Sequence, residues 1–87
     1  MARYELVFRK SVAKDLRALP KQDIKRIMQR IRALAAEPRP VGCEKLSGQE
    51  RYRIRQGVYR ILYEIEDARL IILVVKIGHR SDVYSRS

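Results

Sequence analysis

Four arginines fall within ten residues of one another in the segment Arg51-Tyr52-Arg53-Ile54-Arg55-Gln56-Gly57-Val58-Tyr59-Arg60. A guanidinium stays protonated in proteins and offers a rigid fork of N–H donors matched to phosphate oxygens. Several of them on one surface would bind an anion and stabilise charge developing on a phosphorus centre. The same permanence of charge makes arginine unsuited to accept a proton, so general acid–base work has to lie elsewhere. His79 is the only histidine of the chain, and an imidazole titrates near pH 6.5, which makes His79 a candidate acid or base. The plain alternatives are a solvated basic strand face and a surface or capping histidine.

Alternation is what would bring the arginines together. Arg51, Arg53 and Arg55 fall on one phase and Tyr52 and Ile54 on the other, the period of a half-buried strand. Gln56-Gly57 reads as a two-residue hairpin turn, after which Tyr59, Ile61 and Tyr63 continue as the bulky phase. With that turn Arg55 opposes Val58, Arg53 opposes Arg60 and Arg51 opposes Leu62. One face then carries Arg51, Arg53, Arg55 and Arg60, and the other carries Tyr52, Ile54, Tyr59 and Ile61. Like charges opposed across a hairpin repel. With no acidic residue expected beside them, the arrangement calls for an anion from outside.

The remaining elements follow in order. Tyr4–Phe8 alternates as a short strand, Ser11 stands as a helix N-cap, and Val12, Leu16 and Leu19 recur at helical spacing. Pro20 either ends that helix or opens the next. From Lys21 to Glu37 the residues Ile24, Ile27, Met28, Ile31, Leu34 and Ala35 form one apolar stripe, ended by Pro38 and Pro40. Val41–Glu50 reads as a loop whose Lys45-Leu46-Ser47-Gly48 folds back on the sheet edge. Glu66–Arg69 is a turn, Leu70–Ile77 an apolar strand of central character, and Gly78–Tyr84 an irregular or short helical tail. The expectation is an α+β domain spanning residues 1–87: a strand, two helices and three antiparallel strands, with both helices on the tyrosine face. The arginine face stays open, with Leu62, Leu73 and Val75 partly exposed on it.

Composition narrows the partners. The chain has 87 residues, 20 Lys and Arg against 10 Asp and Glu, and a formal net charge of +10. That excess points to a polyanion, nucleic acid first and an acidic protein second. The single cysteine, Cys43, excludes a disulfide framework and a cysteine-based zinc site. Scattered carboxylates argue against a magnesium-dependent nuclease, so no cofactor is expected. No run reaches signal-peptide or membrane-span length, which fits a reducing cytoplasm.

The element order resembles that of RelE/ParE-superfamily toxins of type II toxin–antitoxin systems, specifically the RelE branch. The likeness covers nearly the whole chain. It rests on Lys45-Leu46-Ser47-Gly48, on Tyr52-Arg53-Ile54-Arg55 with Tyr59-Arg60-Ile61-Leu62-Tyr63, and on Ile77-Gly78-His79-Arg80-Ser81-Asp82-Val83-Tyr84. It implies a RelE-like fold and a ribosome-dependent endoribonuclease that cuts mRNA in the ribosomal A site. In such enzymes the ribose 2′-OH attacks the adjacent phosphate without a metal. It also implies a cognate antitoxin, with possible operator DNA binding by the pair. On this resemblance the catalytic candidates are Arg53, Arg55, Arg60, His79, Arg80 and Tyr84, and the RNA-binding candidates are Lys45, Arg51 and Lys76. Tyr84 matches the family's C-terminal tyrosine, as a base whose phenolate Arg60 and Arg80 would favour or as a ring that stacks on a nucleobase. The family often carries lysines where this chain has Arg53 and Arg55, which displaces any lysine-borne proton transfer. Only three residues follow Tyr84, so a short tail without a long terminal helix is expected. Two other readings share the fold: a ParE-like inhibitor that binds DNA gyrase, and a co-repressor that acts only with its antitoxin.

Overall fold

The computed structural model describes residues 3–46 and 51–79. Five strands form one sheet, interrupted in sequence by two helices: β1 (Glu5–Phe8), α1 (Lys10–Arg17), α2 (Lys21–Leu34), β2 (Glu44–Lys45), β3 (Arg51–Gln56), β4 (Tyr59–Glu66) and β5 (Ile71–His79). The spatial order is β1-β5-β4-β3-β2. β1 runs parallel to β5, and the other pairs are antiparallel. The expected α+β architecture holds, with one strand more than expected. The addition is β2, where Glu44 and Lys45 pair with Arg53 and Tyr52. The expected fold-back of this loop is therefore real at Glu44 and Lys45, while Ser47 and Gly48 lie outside the described residues.

The core lies between the helices and the tyrosine face, as the alternation predicts. Ile27, Ile31 and Leu34 of α2 and Val12 of α1 cluster with Tyr52, Ile54, Ile61, Tyr63, Ile65, Ile72, Val74 and Ile77. Most of these are fully buried, and each large aliphatic removed from water contributes roughly 1.5–3 kcal/mol of transfer free energy. Tyr52 and Tyr63 stack at 5.8 Å. The Tyr63 hydroxyl donates to the Pro38 carbonyl at 2.7 Å, so the buried phenol is satisfied.

Helix boundaries differ from the sequence expectation for tertiary reasons. Arg9, not Ser11, is the N-cap of α1, and its side chain makes no capping bond. The Arg9 amide donates to the Val74 carbonyl at 3.0 Å. Sheet pairing thus holds the chain extended through Arg9, and the helix begins at once at Lys10. Pro20 caps α2, its carbonyl accepting from the Ile24 amide at 3.0 Å. α2 stops at Leu34 rather than Glu37. The amides of Ala35 and Ala36 bond three residues back, tightening the chain ahead of Pro38.

Two features set the sheet's register. Gly57 has φ of 62° while Val58 stays on the negative side. The two-residue turn is therefore Gly57-Val58 rather than Gln56-Gly57, because a type II′ hairpin needs its glycine at the first central position. Gln56 joins the ladder opposite Tyr59. The second feature is a bulge: Leu62 pairs with Lys76 but Tyr63 with Val74, leaving Val75 as the extra residue of β5. The bulge switches the phase of β5, which lets Val74 and Ile77 both face the core. It also explains why Val75 is 4% exposed where partial exposure was expected. β4 runs on through Glu66, a short 3-10 turn (Asp67–Arg69) follows, and Gly78 and His79 belong to β5 rather than to a tail.

Candidate functional site: the arginine face

With the observed register, Arg55 opposes Arg60, Arg53 opposes Leu62, and Arg51 opposes Glu64. The expected pairs were offset by one step of the turn. The grouping survives because moving the turn by one residue shifts the pairing by two, an even step that keeps each side chain on its face: Arg51, Arg53, Arg55 and Arg60 still share the face away from the helices. Across the sheet this face reads as three rows. The first is Leu73, Glu64 and Arg51; the second is Lys76, Leu62, Arg53 and Glu44; the third is Gly78, Arg60 and Arg55.

Charge is graded along these rows. Arg51 donates through Nε and Nη2 to one oxygen of Glu64, at 3.2 and 2.7 Å. Arg53 does the same to Oε1 of Glu44, at 3.2 and 2.9 Å. The expectation of an arginine face without acidic neighbours is thus corrected. Glu64 was misplaced by the turn register, and Glu44 is brought alongside only by β2. Lys76 lies 3.5 Å from Asp15 of α1. Among the described residues the third row carries two arginines, no carboxylate, and a glycine opposite Arg60. Arg55 is exposed, whereas Arg60 is 5% exposed, with Nη1 3.4 Å from the Tyr59 carbonyl. A buried guanidinium keeps its charge, and its field acts through less water than that of an exposed one.

The structure separates the other candidates. Lys45 pairs with Tyr52, and His79 with Tyr59, so both project on the helix side of the sheet. The His79 ring meets Tyr59 edge-on at 6.4 Å. Arg80 and Tyr84 lie outside the described residues.

Several residues that hold this surface in place were not visible in the sequence. The Tyr59 hydroxyl donates to Asp23 of α2 at 2.7 Å, and that bond, then burial, pushes the phenol above its ordinary range. It fixes the start of β4 one residue from Arg60. Asp15 accepts from the Ile77 amide at 3.2 Å, so α1 takes over the edge of β5 where β1 ends. At the far end Arg39 grips Asp67 through Nη1 and Nη2, at 3.3 and 2.8 Å, and donates through Nε to the Tyr52 hydroxyl at 3.1 Å. Tyr4 adds a bond to Asp67 at 2.6 Å. Arg39 first, and then Tyr4, hold the Asp67 carboxyl below its usual value of 3.8. Each of these is a contact between residues far apart in sequence, for which no local pattern exists.

Comparisons with known proteins agree with this architecture. Residues 6–84 match the family model described as the ParE toxin of the type II toxin–antitoxin system parDE. Toxin RelG of Mycobacterium tuberculosis is 30% identical over 87 residues, covering 95% of this chain and 98% of RelG. The archaeal RelE of the RelE–RelB complex from Pyrococcus horikoshii superposes with a TM-score of 0.81 at 31% identity, over 90% of this chain and 96% of that one. The isolated Escherichia coli RelE toxin gives 0.77 at 27% identity, over 95% and 93% respectively. The sheet order, the helices confined to one face and these matches across nearly the whole length lead to one assignment: the chain belongs to the RelE/ParE superfamily of type II toxin–antitoxin toxins, and it is RelE-like.

Proposed function

We propose that this chain is a ribosome-dependent endoribonuclease, the toxin of a type II pair, which cuts mRNA in the ribosomal A site. The observation that carries the reading is the third row of the open face, where the guanidinium-bearing Arg55 and Arg60 stand directly opposed beside Gly78. Two opposed guanidinium groups lower their mutual repulsion by sharing an anion. RNA supplies its own nucleophile. The 2′-oxygen bonds to the adjacent phosphorus while the bond to the 5′-oxygen breaks, leaving a 2′,3′-cyclic phosphate and a 5′-hydroxyl. Arg55 and Arg60 stabilise the charge on the phosphorane oxygens. The proton leaving the 2′-hydroxyl passes to Tyr84, its phenolate supported by Arg80, and the 5′-oxygen takes a proton from water; His79, on the helix side, does not face the phosphate held by Arg55 and Arg60. Arg53, Arg51, Lys76 and Lys45 contribute attraction for the RNA backbone.

Primer extension on mRNA translated by purified ribosomes tests this reading. The expected result is new 5′ ends at A-site codons, and their absence would overturn it. Arg60→Ala lowers the cleavage rate by about 10²–10³-fold, the usual cost of losing one preorganised charge-stabilising donor.

The relatives crystallised as RelE–RelB complexes support a cognate antitoxin as partner. An acidic segment that folds on binding suits a chain of charge +10. Co-purification from the native locus reads this directly, together with a gel shift on operator DNA. A second function rests on the matching family model being that of the ParE toxin: inhibition of DNA gyrase without RNA cleavage. Gyrase supercoiling assays with the purified chain separate it from the first.

A further inference from the structure

The geometry points to Glu44 as a built-in anion on the RNA-binding face, a residue that sets how strongly Arg53 engages the nucleic-acid backbone. The inference rests on the reading of that face as an RNA surface.

Glu44 is held there by backbone pairing. It is the direct cross-strand partner of Arg53, so its side chain must project on the arginine face. β2 is only two residues long, yet it is tied at both ends: the Cys43 amide bonds the Pro40 carbonyl at 3.1 Å, and the Leu46 amide bonds the Arg51 carbonyl at 2.8 Å. The donors Glu44 occupies are the chemically telling part. Nε and Nη2 of Arg53 both point at Oε1, at 3.2 and 2.9 Å. That side of a guanidinium is one of the two edges with which arginine takes a phosphate in bidentate fashion. Glu44 therefore stands where a phosphate oxygen would stand. The Arg53 side chain is 17% exposed while that of Glu44 is 54% exposed. The carboxylate can thus swing into solvent while the guanidinium stays fixed. Neighbouring Arg55 is exposed, and its cross-strand partner is Arg60 rather than a carboxylate. The face is therefore divided into a position open to phosphate and a second whose Nε–Nη2 edge phosphate reaches only by displacing Glu44. The result is weaker, less salt-sensitive binding along the flanking backbone, with the reacting phosphate's own row left untouched.

The experiment separates charge from shape. Glu44→Gln keeps the length of the side chain and an oxygen that accepts from Arg53, but removes the negative charge. The probe is a fluorescent 2′-O-methyl oligoribonucleotide, which binds without offering a hydroxyl for attack. The expected result at low salt is roughly three- to fivefold tighter binding by Glu44→Gln, the scale of one exposed ion pair, fading as salt is raised. In an Arg53→Ala background the same substitution gives less than half that gain. Unchanged or weaker binding by Glu44→Gln would overturn the inference, as would an equal gain with and without Arg53, which would mark a general charge effect. Circular dichroism and thermal melting of each variant establish that it is folded. If primer extension shows no cleavage while the Arg53-dependent gain persists, the nuclease reading fails and the role of Glu44 stands. If ribosome-dependent cleavage occurs with no Arg53-dependent gain, the role of Glu44 fails and the nuclease reading stands.

Discussion

Arg55 opposite Arg60 is an unfavourable pair for a hairpin, and the rest of the open face limits the repulsion: Glu44 and Glu64 neutralise Arg53 and Arg51, one and two rows away. Net positive charge is thereby concentrated at the turn end of the sheet. Each arginine that contacts phosphate releases condensed counterions, so Arg55→Ala reduces the slope of log affinity against log salt for single-stranded RNA by about 0.7. A binding titration at several salt concentrations measures it, and an unchanged slope would remove Arg55 from the interface. Arg51→Ala has a smaller effect on binding, because Glu64 already occupies its fork. The arginine alternation was legible from residue types alone. Their carboxylates were not, since Glu44 lies nine residues from Arg53 and Glu64 thirteen from Arg51, at distances that only strand pairing closes.

The elements show where local signals yield to packing. Ser11 has the chemistry of an N-cap, but the Arg9–Val74 pairing places the helix start before it. Ser11→Ala therefore changes stability by less than about 0.5 kcal/mol, where loss of a working cap costs typically about 1 kcal/mol. The apolar stripe of α2 is the opposite case, because its periodicity and its burial agree. Ile31 is fully buried, so Ile31→Ala destabilises the fold by roughly 2–5 kcal/mol in urea unfolding, through lost transfer energy and the cavity left behind. Turn and bulge sit between these extremes. A glycine near position 57 announced a hairpin, but its place within the turn depended on the sign of φ at one residue. The bulge at Val75 left no mark in a run of apolar residues, where either phase looks equally fit for burial.

At the scale of the molecule, one polar network ties the chain's beginning to its middle. Tyr4, Arg39, Asp67 and Tyr52 join the residue before β1, the segment after α2, the β4–β5 turn and β3. The folded state lowers the pKa of Asp67, with Arg39 as the largest cause. Such a carboxylate adds stability above its unfolded pKa, and that stability is lost as pH falls through the lower, folded value. Asp67→Asn is accordingly less stable than the parent at neutral pH, and the gap narrows as pH falls and Asp67 takes up its proton. Thermal unfolding across an acid series checks the sign. Among the described residues no helix is long and apolar enough to cross a membrane.

What the sequence determined by itself was what depends on period and composition. These are the two helices, the hairpin, the segregation of arginines from tyrosines, and the excess of positive charge. The segregation follows from which side chains share a face, and that survives a pairing shift of two residues. Tertiary structure alone decided which charges meet. Register placed Arg55 rather than Arg53 against Arg60, a two-residue strand delivered Glu44 to Arg53, and the bulge in β5 set His79 beside Tyr59 on the helix side. The physical reason is range. Hydrophobic periodicity is a property of neighbours along the chain, whereas an ion pair across a sheet depends on hydrogen-bond register between segments the chain brings together only on folding.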